Sequence, residues 1–327
     1  MQTSNGKKAQ KPIRDLIFLP VFSLFRRNPG IFALFYKGVN RTLDKRLLPG
    51  KEADMKNAFG GEFDDEIRHI VPTLRKQGVF LAKNYFPNDF LGQAREYFEN
   101  ELRDFDINDT GRFDIEVKDE IHSAQTIKTK VLTDRKTKSV FTGFDSYELH
   151  GRRRIRHYDY AHLPPIIEQI YSHKKLIALV STYYQYPVYV KEVVFERLTP
   201  GLSHEPWHFD RTRDQFKVMI PLTTVGLDNG PMTYIPGSHQ FTNALAESYS
   251  GSFTVNGEQP YLVSKRLADL PRDRVVCTGQ PGDAIFFDTL GVHTGSRCQV
   301  NHRDVIVVCF EVRSPKNRLF TLMGLKN

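Results

Sequence analysis

The sequence predicts a mainly β fold with flanking helices, an antiparallel sandwich or barrel, and two observations predict it. Short runs rich in β-branched and aromatic residues recur at Val188–Leu198, Phe216–Leu222, Met232–Ile235, Asp283–Phe287 and Val305–Val312. Turn-forming clusters separate them, at Thr199-Pro-Gly201, Asp228-Asn-Gly-Pro231, Pro236-Gly-Ser238 and Gln280-Pro-Gly-Asp283. Short strands punctuated this way, with no helical periodicity between them, pair as antiparallel neighbours.

The chain before this region reads differently. Glu66 to Lys76 is short and amphipathic, and Gly78-Val-Phe-Leu-Ala82 has the composition of a strand. Asn88 or Asp89 can cap a helix running to about Phe105, with apolar residues at Phe90, Leu91, Ala94, Tyr97, Phe98 and Leu102. Pro164-Pro165 opens a further helix reaching about Tyr184, because proline tolerates the first helical turn. Residues 106–150 are polar and specify no element. Gly151-Arg-Arg-Arg-Ile-Arg156 is a basic run, read as a solvated edge or as a clamp for an anionic group.

The 327 residues are 40% hydrophobic and 26% charged, values of a globular chain with a substantial core. A net charge of +8 and a pI near 9.2 favour anionic small molecules or an acidic surface. No nucleic-acid-binding motif accompanies the charge, so nucleic acid is not an expected partner. Three cysteines, Cys277, Cys298 and Cys309, show no CxxC spacing and predict reduced thiols in a cytoplasmic protein.

Residues 1–60 form a basic and apolar N-terminal arm, and 61–327 form the folded domain. Leu16–Phe25 and Ile31–Tyr36 are greasy, but Pro20, Arg26, Arg27 and Pro29 interrupt them well short of the roughly 20 apolar residues a spanning helix needs. The arm therefore packs on its own domain or lies at a membrane surface through residues 12–46, with Lys37, Arg41, Lys45 and Arg46 facing headgroups.

The chemistry concentrates at His208-Phe209-Asp210, followed 83 residues after the aspartate by His293 and ten further on by Arg303. In a strand, side chains i and i+2 share a face, so His208 and Asp210 can meet one metal while Phe209 turns away. Two imidazoles and a carboxylate cap one face of Fe(II) and leave positions for oxygen and a co-substrate. A double-stranded β-helix is the architecture that brings a distant strand bearing His293 to that pair. Arg303 opens an apolar strand, and its planar fork fits a carboxylate bidentately.

Pro206-Trp-His-Phe-Asp210, Asn229-Gly-Pro-Met-Thr-Tyr-Ile-Pro-Gly-Ser-His239 and Pro281-Gly-Asp-Ala-Ile-Phe-Phe287, with His293 and Arg303, resemble the phytanoyl-CoA dioxygenase-like family. Gln77-Gly-Val-Phe-Leu81 and Tyr85-Phe86 resemble its usual opening, and the likeness spans roughly residues 70–315. The resemblance implies a double-stranded β-helix (a jelly-roll, cupin-like) using Fe(II), 2-oxoglutarate and O2 as cofactor and co-substrates. It implies that His208, Asp210 and His293 ligate iron and are catalytic, and that Arg303 binds the far carboxylate of 2-oxoglutarate. The implied reaction is hydroxylation of an aliphatic C–H bond of a small or lipid-like anionic substrate. The alternative is a jelly-roll protein that binds metal or ligand without turnover. Where the family often has a hydroxyl residue two positions past the distal histidine, this chain has Gly295 between Thr294 and Ser296, which leaves the co-substrate's second contact open, with Thr294 its candidate. Retention of Asp210 speaks against halogenation, which needs that carboxylate replaced.

Lys217 is expected at the barrel mouth as a co-substrate contact, and Arg197 and Trp207 are candidate substrate contacts, with core packing the favoured role of Trp207. His204 is four residues before His208, but Pro206 breaks any helix that would make it a ligand. His239 reads as a turn residue, His302 as a surface residue, and Arg297 ranks below Arg303 for want of a rigid strand.

Overall fold

Residues 64–103, 110–122, 125–136, 138, 140–144, 152–157, 163–201, 207–210, 214–240 and 270–315, together with Leu34, are described by a computed structural model. The expected arm at residues 1–60 and His204 lie outside them, Leu34 apart.

Helix α1 (Asp64–Gln77) carries acidic residues in its first turn and Arg75 and Lys76 in its last, matching the helix dipole at both ends. Its buried face is Ile70, Val71 and Leu74. The chain then turns into β1 (Val79–Ala82). Helix α2 (Asn88–Arg103) buries Phe90, Leu91, Ala94 and Phe98, the stripe that its periodicity predicts.

The polar stretch that specified no element forms β2 (Phe113–His122), β3 (Gln125–Asp134) and β4 (Val140–Phe144), an antiparallel meander. Phe113, Ile115 and Val117 alternate with Asp114, Glu116 and Lys118, a strand period hidden when the stretch is read as uniformly polar, whereas Val131-Leu132 breaks the period in β3. The basic run is β5 (Arg152–His157), which pairs with β4 and β6.

The helix expected over 165–184 is two helices, α3 (Pro165–Tyr171) and α4 (Lys174–Tyr184). The break falls where the Ser172 N–H turns back to the Glu168 carbonyl at 3.0 Å. The His173 ring then caps α4, accepting from the Leu176 N–H at 3.3 Å.

The remaining strands are β6 (Val188–Leu198), β7 (Gln215–Pro221), β8 (Met232–Tyr234), β9 (Val275–Cys277), β10 (Ala284–Asp288), β11 (His293–Gly295) and β12 (Arg303–Val312). Among the described residues the large sheet runs β1-β10-β7-β12-β6-β5-β4-β3-β2, and the small one runs β11-β8-β9. Every pairing is antiparallel. The two sheets face each other as a double-stranded β-helix.

Alternation divides the large sheet into two faces. Val193 and Phe195 of β6, Ile306, Val308 and Phe310 of β12, and Phe216 and Val218 of β7 pack outward under α2, α3 and α4. Phe195 meets Phe98 and Tyr97 of α2 with ring centroids 5.3 Å apart. Met219, Ile285, Phe287 and Val305 point inward against Met232 and Tyr234 of the small sheet. This inner layer packs against His293 through Tyr234 and Phe287.

Candidate active site

His208 lies outside the named strands but forms an isolated antiparallel bridge with His293. Its N–H donates to the His293 carbonyl at 2.9 Å, and the His293 N–H donates back at 2.8 Å. The Asp210 N–H donates to the Thr289 carbonyl at 3.0 Å, which fixes the residue two positions on. Backbone pairing thus delivers both imidazoles and the carboxylate to one place. Nε2 of His208 and Nε2 of His293 are each 3.7 Å from Asp210 Oδ1, and the imidazole centroids are 4.4 Å apart. All three side chains are buried, and one donor atom from each falls within 4.8 Å of the others.

The electrostatics suit a cation. Burial lowers His293 to a pKa of about 4, with His208 adding to the effect, so its ring is neutral at pH 7. His293 Nδ1 lies 2.8 Å from the Gly291 carbonyl; donation there leaves the Nε2 lone pair facing Asp210. Burial would raise Asp210, but Lys217, His293 and His208 together hold its carboxyl well below the usual range. Two imidazole nitrogens and an ionised carboxylate oxygen are the donor set that Fe(II) accepts.

The surrounding residues set the rings. Tyr234 lies nearly parallel to His293 at 6.3 Å, and Phe287 meets it edge-on at 5.5 Å. The Tyr234 hydroxyl donates to the Asp288 carbonyl at 3.0 Å. Ser238 Oγ accepts from the Val292 N–H at 2.7 Å, so the Pro-Gly-Ser-His turn anchors the chain immediately before His293. His239 has its own structural place, with Nε2 3.2 Å from the Arg75 carbonyl.

The Lys217 ammonium lies 2.6 Å from Asp210 Oδ2. Burial would lower its pKa; Asp210, then Cys309 and Glu192, outweigh that and raise it. Arg303 opens β12 on the inner face, buried, donating to the Gly230 carbonyl and to Glu196 Oε1 at 2.7 Å. Gly230 has φ +82° and a Cβ there would fall 2.6 Å from Leu198, so glycine lets this carbonyl approach the guanidinium. The neighbouring Ser296 N–H bonds Pro231 O at 2.8 Å, which puts Arg303 about three residues, or roughly 10 Å of strand, beyond His293.

Two expected placements differ, and Trp207 takes its favoured role in the core. Arg197 does not line the barrel: strand alternation turns it to the outer face, where it binds both Asp304 oxygens (2.8 and 2.6 Å) and Glu99 of α2. Thr294 pairs with Thr233, on the face of β11 opposite His293, and Gly295 takes the cavity side. Trp207 packs on Phe209, Ile235, Leu270 and Val292, with Arg274 over its ring at 5.3 Å, which is the core role. Arg297 and His302 are exposed. Cys298 is buried, its thiol 3.1 Å from the Asn301 carbonyl, and stands outside the triad. Sequence reasoning missed Glu196, although an acidic residue between inward-facing Val194 and Leu198 was a visible signal.

Residues 144–300 match the family model described as Phytanoyl-CoA dioxygenase (PhyH). The chain carries a phytanoyl-CoA dioxygenase domain over these residues. It is accordingly a 2-oxoglutarate-dependent dioxygenase that uses Fe(II), 2-oxoglutarate and O2. Similar solved folds include the epimerase SnoN in complex with Fe3+, alpha ketoglutarate and nogalamycin RO, at a TM-score of 0.52 and 13% identity, covering 76% of this chain and 84% of that one. EctD from S. alaskensis is similar at a TM-score of 0.50 and 16% identity, covering 75% of this chain and 76% of that one. At these identities the likeness is one of fold. No curated protein matches the chain in sequence. Among the described residues, no helix is long and apolar enough to cross a membrane.

Proposed function

We propose that His208, Asp210 and His293 hold Fe(II), that Arg303 binds the far carboxylate of 2-oxoglutarate, and that the enzyme hydroxylates an aliphatic C–H bond of a small molecule. The observation that carries this reading is the convergence of three buried donor groups on one point, fixed by the His208–His293 backbone bridge. Bound there, Fe(II) supplies the redox chemistry that couples oxidative decarboxylation of 2-oxoglutarate to oxidation of the substrate.

The chain's own contribution is positional and electrostatic. His293 presents its Nε2 lone pair because Nδ1 is committed to the Gly291 carbonyl. Asp210 arrives ionised, with Lys217 as its counter-charge until a metal replaces it. Arg303 orients the co-substrate from the far end of the inner face, where a bidentate fork gives direction as well as affinity. Met219, Phe287, Val305 and Met232 exclude water from the cavity between the sheets.

The finer reading is an anionic or lipid-like substrate, with residues 12–46 touching a membrane surface. Its support is the net charge of +8 and the basic, apolar sequence of the arm. Liposome flotation of the full chain against a chain lacking residues 1–50 tests it; equal recovery of both rejects membrane contact.

The site itself is tested anaerobically. Fe(II) and 2-oxoglutarate together should give a weak visible charge-transfer band that His208→Ala abolishes. A band of full strength in that variant would sink the ligand assignment.

A further inference from the structure

We propose that Glu196 is an internal stand-in for the far carboxylate of 2-oxoglutarate, and that it sets how tightly the site takes this co-substrate. The inference rests on the assignment of Arg303 made above.

Both residues are enclosed, Arg303 with 4% and Glu196 with 6% of its surface exposed. The guanidinium stays charged at any pH the fold survives, so an empty pocket needs an anion beside it. Glu196 is placed to be that anion. In the β6–β12 register Glu196 stands opposite Val305 and Leu198 opposite Arg303, which makes Glu196 and Arg303 diagonal neighbours on the inner face. The next residue, Arg197, alternates outward to Asp304, so the acidic side chain is directed inward by strand parity.

The pairing uses one nitrogen of the fork, and the Gly230 carbonyl uses the other. A guanidinium presents its five N–H groups as one planar fork that a carboxylate meets bidentately. Two carboxylates on one guanidinium in a low-dielectric cavity repel each other, and the incoming one must share the fork or move Glu196 aside. Glu196 therefore stabilises the empty site and opposes loading. The Gly230 contact keeps Arg303 in place when Glu196 is altered.

The test is Glu196→Gln, which keeps size and hydrogen bonding but removes the charge. Its 2-oxoglutarate Kd, from anaerobic titration of the charge-transfer band with Fe(II), should fall about tenfold, a change of about 1.4 kcal/mol. The empty variant should melt at a lower temperature than the wild type and regain more of it with 2-oxoglutarate. An unchanged or larger Kd overturns the proposal. Glu196→Asp, which retracts the carboxylate by one methylene, should tighten binding by a smaller factor, and it decides the matter if the glutamine variant does not fold; no tightening overturns the proposal there too. Arg303→Met separates the two claims. If it leaves Kd unchanged, the Arg303 assignment has failed and takes this proposal with it. If it abolishes binding while neither Glu196 variant tightens it, only the Glu196 proposal has failed.

Discussion

His208 and His293 exchange backbone hydrogen bonds at 2.9 and 2.8 Å, so the two imidazoles are neighbours through main chain rather than through side-chain packing. Replacing either ring leaves that pairing intact. His208→Ala and His293→Ala should each abolish Fe(II) binding while lowering stability by only about 1 kcal/mol, within the ordinary range for a point substitution. Metal titration followed by denaturant unfolding of the same samples measures both; loss of fold in step with loss of metal would refute the separation.

Gly291 is the tightest point behind the site. A Cβ there would lie 1.6 Å from the Tyr234 hydroxyl, which holds the Asp288 carbonyl, and the Gly291 carbonyl itself faces His293 Nδ1. Gly291→Ala must displace one of these supports. Metal affinity should fall about 10- to 100-fold, as it does when a ligand's outer hydrogen bond is lost. Metal titration of the variant by calorimetry reads this directly.

The sequence displayed the parts of the fold whose signal is local. The strand runs at Val188–Leu198 and Val305–Val312, the His-x-Asp pair and the distal His293 were all readable, because period, turn residues and spacing mark them. Lys217 alternates with Phe216 and Val218, the pattern that suggested a barrel-mouth position, and its ammonium meets Asp210. The outward turn of Arg197 was not readable, since a strand that is buried on both faces carries no polar side to set the parity by. The parity of Glu196 and Arg197 is fixed by their partners, Arg303 and Asp304, more than one hundred residues away. The β2–β4 meander left a partial local trace, the alternation of Phe113, Ile115 and Val117 with Asp114, Glu116 and Lys118, while the order of its strands comes from their pairing.

That outward parity gives Arg197 a testable role. Arg197 joins α2 to β12 through Glu99 and Asp304, and the Asp304 side chain is almost fully enclosed. Arg197→Ala strands that carboxylate and should cost about 2 kcal/mol of stability. The 2-oxoglutarate Kd should stay within twofold of the wild type, in contrast to Arg303→Met. A large loss of co-substrate affinity in Arg197→Ala would return this residue to the cavity.

Asp283 supplies a pH dependence. Burial would raise its pKa, but bonds from Lys83, the Gln280 N–H and the Asn84 N–H lower it below the usual value. A carboxyl lowered in the folded state stabilises fully above its unfolded pKa, near 4, and loses that contribution as pH falls. The wild type should lose stability between pH 5 and 3 more steeply than Asp283→Asn, which has no such proton to take up. Denaturant midpoints across that interval measure the difference, and parallel curves would rule the effect out.

Asp210 and Lys217 couple the metal site to the stability of the empty protein. The pair is 2.6 Å apart, with the Asp210 side chain 6% and the Lys217 side chain 23% exposed. Asp210→Ala removes a metal ligand and also leaves an ammonium among Cys309, Glu192 and two histidines with its main counter-charge gone. Partial access to water moderates the penalty, so the metal-free variant should lose about 2 kcal/mol. Adding Lys217→Met removes the stranded charge and should restore most of it, because the methionine stem fills similar space. Metal binding should stay lost in both variants, since the missing oxygen is not replaced. A double-mutant cycle on metal-free protein isolates the coupling. Independent, additive effects would mean that the ammonium faces water and that Asp210 needs no partner before iron arrives.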